Sequence, residues 1–322
     1  MQSSTMDTGN TLKSPKGVYK INKIVGKGGY GEVYLTDYTA KNTSNSEQVA
    51  LKKIDLHEME KKKCKKEECK KEVKVMKEIS KSSTNQHIVK YLDSFIRKAY
   101  TGGLFSCIAG MKSPNHENLY IAMDYCSHGD LSNKIKANVG SGTQFDPEII
   151  YDYIYQIADG INELHVKYKI AHRDLKPANI LIAWENGKEV LKISDFGLVK
   201  VIESLSRIQS HSKWCGTEFY MSPEQRDSIK CRFTVVDIWA IGIIFYELCI
   251  APKRLDNDEM DDIREKVKND QRDTTWLNKM IAKDPNKRMS AERVHNEARS
   301  KSYFYRLQNG VSKSRAIYTV AA

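Results

Sequence analysis

The sequence predicts an α+β fold that is β-rich in its first third and helical beyond it. Three observations carry the prediction. Short runs of alternating, β-favouring residues recur between positions 18 and 123, interrupted by one charged helical stretch over 56–80. From Leu131 onward the apolar residues instead fall at three- and four-residue steps. The 322 residues are 40% hydrophobic with four Trp and 17 Tyr, ample for a core, so global disorder is excluded.

Taken in order, residues 1–17 are polar and rich in Ser, Thr and Gly, and read as a flexible tail. Strands are expected over 19–25, 32–38, 48–54, 88–97 and 119–123. Within the helical stretch, Val73, Met76 and Ile79 form an apolar stripe. Residues 39–46 lengthen a hairpin, and 99–117 form a longer insertion, with Gly102, Gly103, Pro114 and Asn115 signalling loop. In the second part, Ile149, Ile150, Tyr153, Ile154, Ile157 and Ile161 share one helix, and Val236 to Leu248 another. There are no internal repeats, and the last residues read as a second tail.

The net charge of +11 comes from 52 Lys and Arg against 41 Asp and Glu, with many lysines between Lys52 and Lys81. Glu67, Glu68, Glu72 and Glu78 are interspersed there at helical spacing, which fits a solvated helix. The absence of aromatic residues among these lysines argues against a nucleic-acid surface. Seven cysteines spread singly lack metal-ligand spacing and suit reduced thiols in the cytosol or nucleus. No signal-peptide core, lipidation signal or apolar run of membrane-spanning length is present, so no membrane association is expected.

The chemistry concentrates in two segments. His172 to Asn179 reads H-R-D-L-K-P-A-N, and Asp195-Phe196-Gly197 follows. They offer two carboxylates (Asp174, Asp195), an ammonium (Lys176) and an amide (Asn179). Moving a phosphoryl group from ATP to a hydroxyl needs such a set: a proton acceptor, hard oxygen ligands for Mg²⁺, and a cation beside the migrating charge. Earlier the chain carries Gly26-Lys27-Gly28-Gly29-Tyr30-Gly31, then Val49-Ala50-Leu51-Lys52; later it carries Ser222-Pro223-Glu224. A glycine pattern of this kind also opens dinucleotide sites, where a helix follows it. Here Glu32 to Thr36 alternates polar and apolar, so a strand is expected to follow the glycines.

In this order the motifs resemble the eukaryotic protein kinase family, Ser/Thr type, because Lys176 stands two residues after Asp174. The resemblance implies a bilobal fold: a kinase domain over 18–305, with an N-lobe 18–123, a hinge 124–130 and a C-lobe 131–305, flanked by tails 1–17 and 306–322. It implies that Gly26, Gly28 and Gly31 close over the ATP phosphates. Val33, Ala50 and Leu181 would enclose the adenine, Met123 would be the gatekeeper, Asp124 and Cys126 would read the adenine edge, and Asp130 would reach the ribose. Lys52 would contact the α- and β-phosphates and pair with Glu72, with Glu68 and Glu78 as rival partners. Asp174 would take the hydroxyl proton, Lys176 would neutralise the γ-phosphate, and Asn179 and Asp195 would hold Mg²⁺. Glu224 would pair with Arg288, and Asp237 would anchor the catalytic loop. His172, Phe196, Met76 and Tyr91 would be packed scaffold.

Protein substrates bearing Ser or Thr are implied, as is autophosphorylation in trans at Ser212 or Ser210, with Arg173 and Lys200 to receive the phosphate. The alternative is a pseudokinase scaffold, which the filled catalytic positions disfavour. Local similarities to initiation-factor-2-alpha kinases and to NIMA-related kinases leave the subfamily open.

Overall fold

A computed structural model describes residues 11–28, 31–61, 66–99, 116–195, 200–201, 218–227, 231–253 and 274–320. The chain divides into two compact units. The first holds residues up to Thr84 together with Val89–Cys126, and the second holds Asn85–Ile88 and everything from Ser127 onward.

The first unit is an antiparallel sheet in the order β1-β2-β3-β4-β6-β5, with strands Thr11–Lys13, Gly17–Gly28, Gly31–Ala40, Ser46–Asp55, Tyr91–Ala99 (β5) and His116–Asp124 (β6). Period-2 alternation divides its side chains between two faces. Tyr19, Tyr34, Leu51, Phe95, Tyr120 and Ala122 form the core on one face, with Tyr19, Phe95 and Tyr120 stacked in series. Val33, Ala50, Lys52, Ile121 and Met123 share the other face by register.

Three expectations for this unit change. Residues 11–17 are not a tail: Thr11–Lys13 pairs with β2, and Leu12 packs against the tyrosine core. The Ser14-Pro15-Lys16-Gly17 turn makes this possible, since Ser14 Oγ accepts from the amides of Lys16 (3.0 Å) and Gly17 (3.2 Å). Gly17 is required there, because a Cβ would lie 2.3 Å from the Thr39 carbonyl oxygen. The charged stretch gives two helices, Leu56–Lys61 (α1) and Lys66–Ser82 (α2). Asp55 caps the first by accepting from His57 N and Glu58 N. Residues 88–90 precede β5; Ile88 instead bridges Ile193 in the second unit's own body.

The second unit is helical, with α3 (Leu131–Ser141), α4 (Pro147–Val166), α5 (Pro223–Arg226), α6 (Thr234–Ile250), α7 (Thr274–Met280) and α8 (Ala291–Val320). Two two-stranded sheets accompany them: β7 (Ile170–Ala171) with β10 (Lys200–Val201), and β8 (Ile180–Glu185) with β9 (Lys188–Ile193). The β8–β9 turn is Asn186-Gly187, both at positive φ, the geometry a two-residue hairpin favours. Ile150, Tyr153, Ile154, Ile157 and Ile161 of α4 are buried as the periodicity predicts, whereas Ile149 is exposed. Helix α6 is apolar all round because it is enclosed by the unit's core. Among the described residues no helix is long and apolar enough to cross a membrane. The expected tail from 306 continues the last helix instead, and α8 runs to Val320.

Gly160 lies where α4 meets His87. A Cβ there would sit 2.8 Å from the His87 carbonyl oxygen, which is already held by Ile193 N at 2.9 Å and cannot retreat. Gly160→Ala is therefore expected to destabilise this unit by about 1–3 kcal/mol, the usual cost of overpacking. A thermal melt checks it, and an unchanged Tm would contradict the packing.

Candidate active site

The second unit brings the acidic and amide residues of the two chemical segments together on one scaffold. The segment after β7 hangs from the buried Asp237, whose Oδ2 accepts from His172 N (2.8 Å) and Oδ1 from Arg173 N (2.7 Å). His165 Nε2 meets the same carboxylate at 2.8 Å. Burial alone would raise the pKa of Asp237, but the His165 hydrogen bond, the two histidines and the Arg173 amide outweigh it and hold the pKa below the ordinary value. The carboxylate therefore stays charged and fixes the turn on which Arg173 takes a left-handed φ of 70°. The Arg173 guanidinium lies over the Phe233 ring, 4.8 Å from its centroid.

Beyond that anchor the reactive groups meet directly. Lys176 Nζ contacts both Asp174 oxygens, at 3.1 and 2.9 Å. Asn179 Nδ2 donates to the Asp174 carbonyl (2.7 Å) and to its Oδ2 (3.1 Å). These bonds orient the amide and make its oxygen the atom offered to a cation. Ser194 joins the second segment to the first: its N and Oγ donate to the Asn179 carbonyl at 2.9 and 3.0 Å, and its own carbonyl meets His172 Nε2 at 2.9 Å. Asp195 follows at a left-handed φ of 62°. An amide oxygen and a carboxylate held on adjoining backbone are hard donors, so this pair suits a small divalent cation such as Mg²⁺. Phe196 and Gly197 lie outside the described residues.

Two residues expected at the nucleotide, Leu181 and Asp130, also belong to this unit. Leu181 in β8 is half-buried and bridges Asp130. Asp130 has a structural task that the sequence reading missed: it caps α3, accepting from Asn133 N at 2.9 Å and from Asn133 Nδ2 at 2.8 Å.

The first unit carries the other predicted positions. Register places Lys52 opposite Val33 and Ile121, and Ala50 opposite Met123, so Val33, Ala50, Lys52 and Met123 line one face of the sheet. Lys53 is on the opposite face, 4.0 Å from Glu32. Strand β3 follows the glycines directly, where a dinucleotide site would have a helix. Gly26 and Gly28 end β2, while Gly31 opens β3 with a φ of 140°. A Cβ on Gly31 would fall 1.9 Å from the Lys53 carbonyl oxygen, so the sheet itself demands that glycine.

Asp124 N donates to the Lys90 carbonyl (3.1 Å), and its carboxylate accepts from Lys90 N (3.3 Å); Cys126 nearby is buried. On α2, Glu72 stands three residues after buried Cys69 and four before buried Met76. Its side chain is outside the described residues. Its rival Glu78 is exposed and lies 3.9 Å from Lys74, a surface i,i+4 pair.

The scaffold positions are partly placed as well. Glu224 and Arg288 form a buried bidentate pair. His172 and Met76 are buried and Tyr91 is half-buried, each within its own unit. His165 and Ser194 went unrecognised in the sequence. A histidine seven positions before His172 and a serine just before Asp195 carry no pattern of their own until the loop is folded.

A model of the protein kinase domain matches residues 19–299. Among curated proteins, the chain is 35% identical over 232 residues to a probable cyclin-dependent kinase 8 of Dictyostelium discoideum, covering 71% of this chain and 54% of that protein. It is 30% identical over 232 residues to the probable serine/threonine-protein kinase nek2 of the same organism, covering 71% and 48%. An Aurora kinase of Debaryomyces hansenii is 29% identical over 287 residues, covering 86% and 61%. The chain thus spans roughly half the length of the curated relatives it matches.

Proposed function

The chain belongs to the protein kinase family, and from that premise we infer that it is a serine/threonine protein kinase that uses MgATP on protein hydroxyls. The observation that carries this reading is the single scaffold joining Asp174, Lys176, Asn179 and the Ser194-Asp195 backbone. Asp174 accepts the proton of the substrate hydroxyl as its oxygen bonds to the γ-phosphorus. The bond from that phosphorus to the bridging oxygen breaks and ADP leaves. Lys176, already beside Asp174, offsets charge on the transferring group. Asn179 and Asp195 would hold the divalent cation, which would supply charge neutralisation for the transfer. Lys52 contacts the α- and β-phosphates, with Glu72 as its partner on α2. Val33, Ala50, Met123, Leu181 and the Asp124–Cys126 backbone receive the adenine. Cys69, Cys126, Cys231 and Cys249 are in no disulfide, which suits the reducing cytosol or nucleus proposed for the chain.

A peptide array with Ser, Thr and Tyr acceptors, incubated with the purified chain and MgATP, tests the activity. Transfer to Ser and Thr peptides is expected. ATP binding without transfer to any peptide would replace the reading with a scaffold role.

Activity is also proposed to rise on phosphorylation at Ser212 or Ser210, which lie outside the described residues. In support, strand β10 pairs Lys200 with Ala171, two residues before Arg173, so both cations the phosphate would need belong to one short sheet and the loop leaving it. A phosphate of about −1.5 to −2 charge would draw them together through charge-assisted bonds. Phosphatase treatment, followed by mass spectrometry and assay, should lower activity. Full activity in a Ser210→Ala/Ser212→Ala variant would rule the switch out.

A further inference from the structure

The peptide plane between Arg173 and Asp174 is held at both ends, and one of the two holders lies outside the loop that carries Asp174. The Asp174 amide donates to His172 Nδ1 at 3.3 Å. The Arg173 carbonyl accepts from Gln225 Nε2, on α5, at 3.1 Å. Asp237 already holds Arg173 N, so the left-handed φ of 70° at Arg173 is fixed through both backbone groups of that residue. Rotation of this plane would relax the turn and swing the Asp174 carboxylate away from Lys176 and Asn179.

Gln225 suits this place because one side chain carries an acceptor and a donor. Its Oε1 accepts from Ser222 N (3.1 Å) and Ser222 Oγ (3.2 Å), the glutamine half of a capping box that opens α5. That acceptor role fixes the orientation of the amide, so Nε2 is the atom that meets Arg173. A capping box by itself takes Glu as readily as Gln. Here a carboxylate would set a charged oxygen against the Arg173 carbonyl, and only the amide satisfies both ends. The neighbouring Glu224 is paired with buried Arg288, so α5 is itself fixed to the core of the unit.

Resting on the kinase reading above, we propose that Gln225 is a positioning residue for phosphoryl transfer: its amide holds the Arg173–Asp174 peptide plane and so aims the Asp174 carboxylate at the substrate hydroxyl.

The test compares the full chain with its Gln225→Glu and Gln225→Met variants, using MgATP and a serine peptide over a range of pH. The glutamate keeps the acceptor for Ser222 and loses the donor; the methionine keeps approximate shape and loses both. In each, kcat should fall roughly tenfold, within the ~10²-fold that misplacing a reacting group by about 1 Å can cost. KM for ATP should not change, because neither bond involves a position assigned to the nucleotide. The pH profile separates positioning from a merely structural role. A protonated glutamate can donate to the Arg173 carbonyl, and that oxygen favours the protonated form. The kcat of Gln225→Glu relative to wild type should therefore climb as pH falls, while the Gln225→Met ratio stays flat. A role confined to capping α5 would spare Gln225→Glu altogether. Wild-type kcat in Gln225→Glu at neutral pH, or a deficit there that acid does not shrink, would overturn the proposal. If that variant fails to fold, Gln225→Met decides, since wild-type kcat, or a loss seen in the KM for ATP instead, would overturn it too. No transfer by the wild type would remove the kinase reading and this inference with it, whereas wild-type transfer with an unaffected Gln225→Glu protein removes the inference alone.

Discussion

Asp174→Asn is expected to cut turnover on a serine peptide by roughly 10²-fold or more, the usual contribution of a positioned general base, while leaving nucleotide affinity nearly intact. The substitution preserves shape. Lys176 Nζ and Asn179 Nδ2 now meet a carboxylate oxygen at 2.9 and 3.1 Å, and an amide oxygen can accept from them in its place. The loop itself stays hung from Asp237. What is lost is a group able to take the hydroxyl proton and to offset the Lys176 charge. Steady-state kinetics with a parallel nucleotide titration separates the two effects. A wild-type rate in the variant would remove Asp174 from the chemistry, and loss of nucleotide binding would make its role structural.

Arg288→Met is expected to destabilise the second unit by about 3–5 kcal/mol, the cost of stranding one member of a buried ion pair. Glu224 is 2% exposed and Arg288 7%. The guanidinium meets both Glu224 oxygens, donates to the carbonyls of Ala282 (2.8 Å) and Val235 (3.1 Å), and lies 4.9 Å from the Trp239 ring centroid. Methionine restores some volume and none of these bonds, so Glu224 must stay buried and charged without a partner, or take up a proton. Denaturant unfolding measures the loss. Adding Glu224→Gln should recover part of it, because the stranded charge is then gone. A single variant as stable as the wild type would show that the pair is not energetically coupled to the fold.

Much of this was legible in the sequence, for physical reasons that differ by region. The sheet was readable because period-2 alternation assigns each side chain a face, which is why Lys52 and Lys53 separate as expected. The anchors Asp237 and Glu224–Arg288 were readable only through the family resemblance, since their partners lie 64 and 65 residues away. Part of each expected tail, 11–17 and 306–320, is instead built into the fold, while 1–10 and 321–322 lie outside the described residues. Polarity suggested tails, yet Leu12 and Tyr305 each supply one apolar contact that holds the flanking segment to the body. The capping role of Asp130 was not legible, because family position says nothing of α3 beginning at the next residue. Ile149 satisfied the helical period but lies on the open side of α4, where periodicity alone cannot distinguish the edge of a face from its centre.

In the proposed reaction one scaffold in the second unit transfers a phosphoryl group to a serine or threonine hydroxyl, with Asp195 as a ligand of the divalent ion. It is tested most directly by single-turnover quench of the full chain with γ-labelled MgATP and a saturating serine peptide. Stoichiometric label on the serine oxygen is expected for the wild type, and almost none for Asp195→Asn at equal nucleotide occupancy. Label appearing equally fast in the Asp195→Asn protein, or bound ATP that never passes its label to the peptide in the wild type, would contradict it.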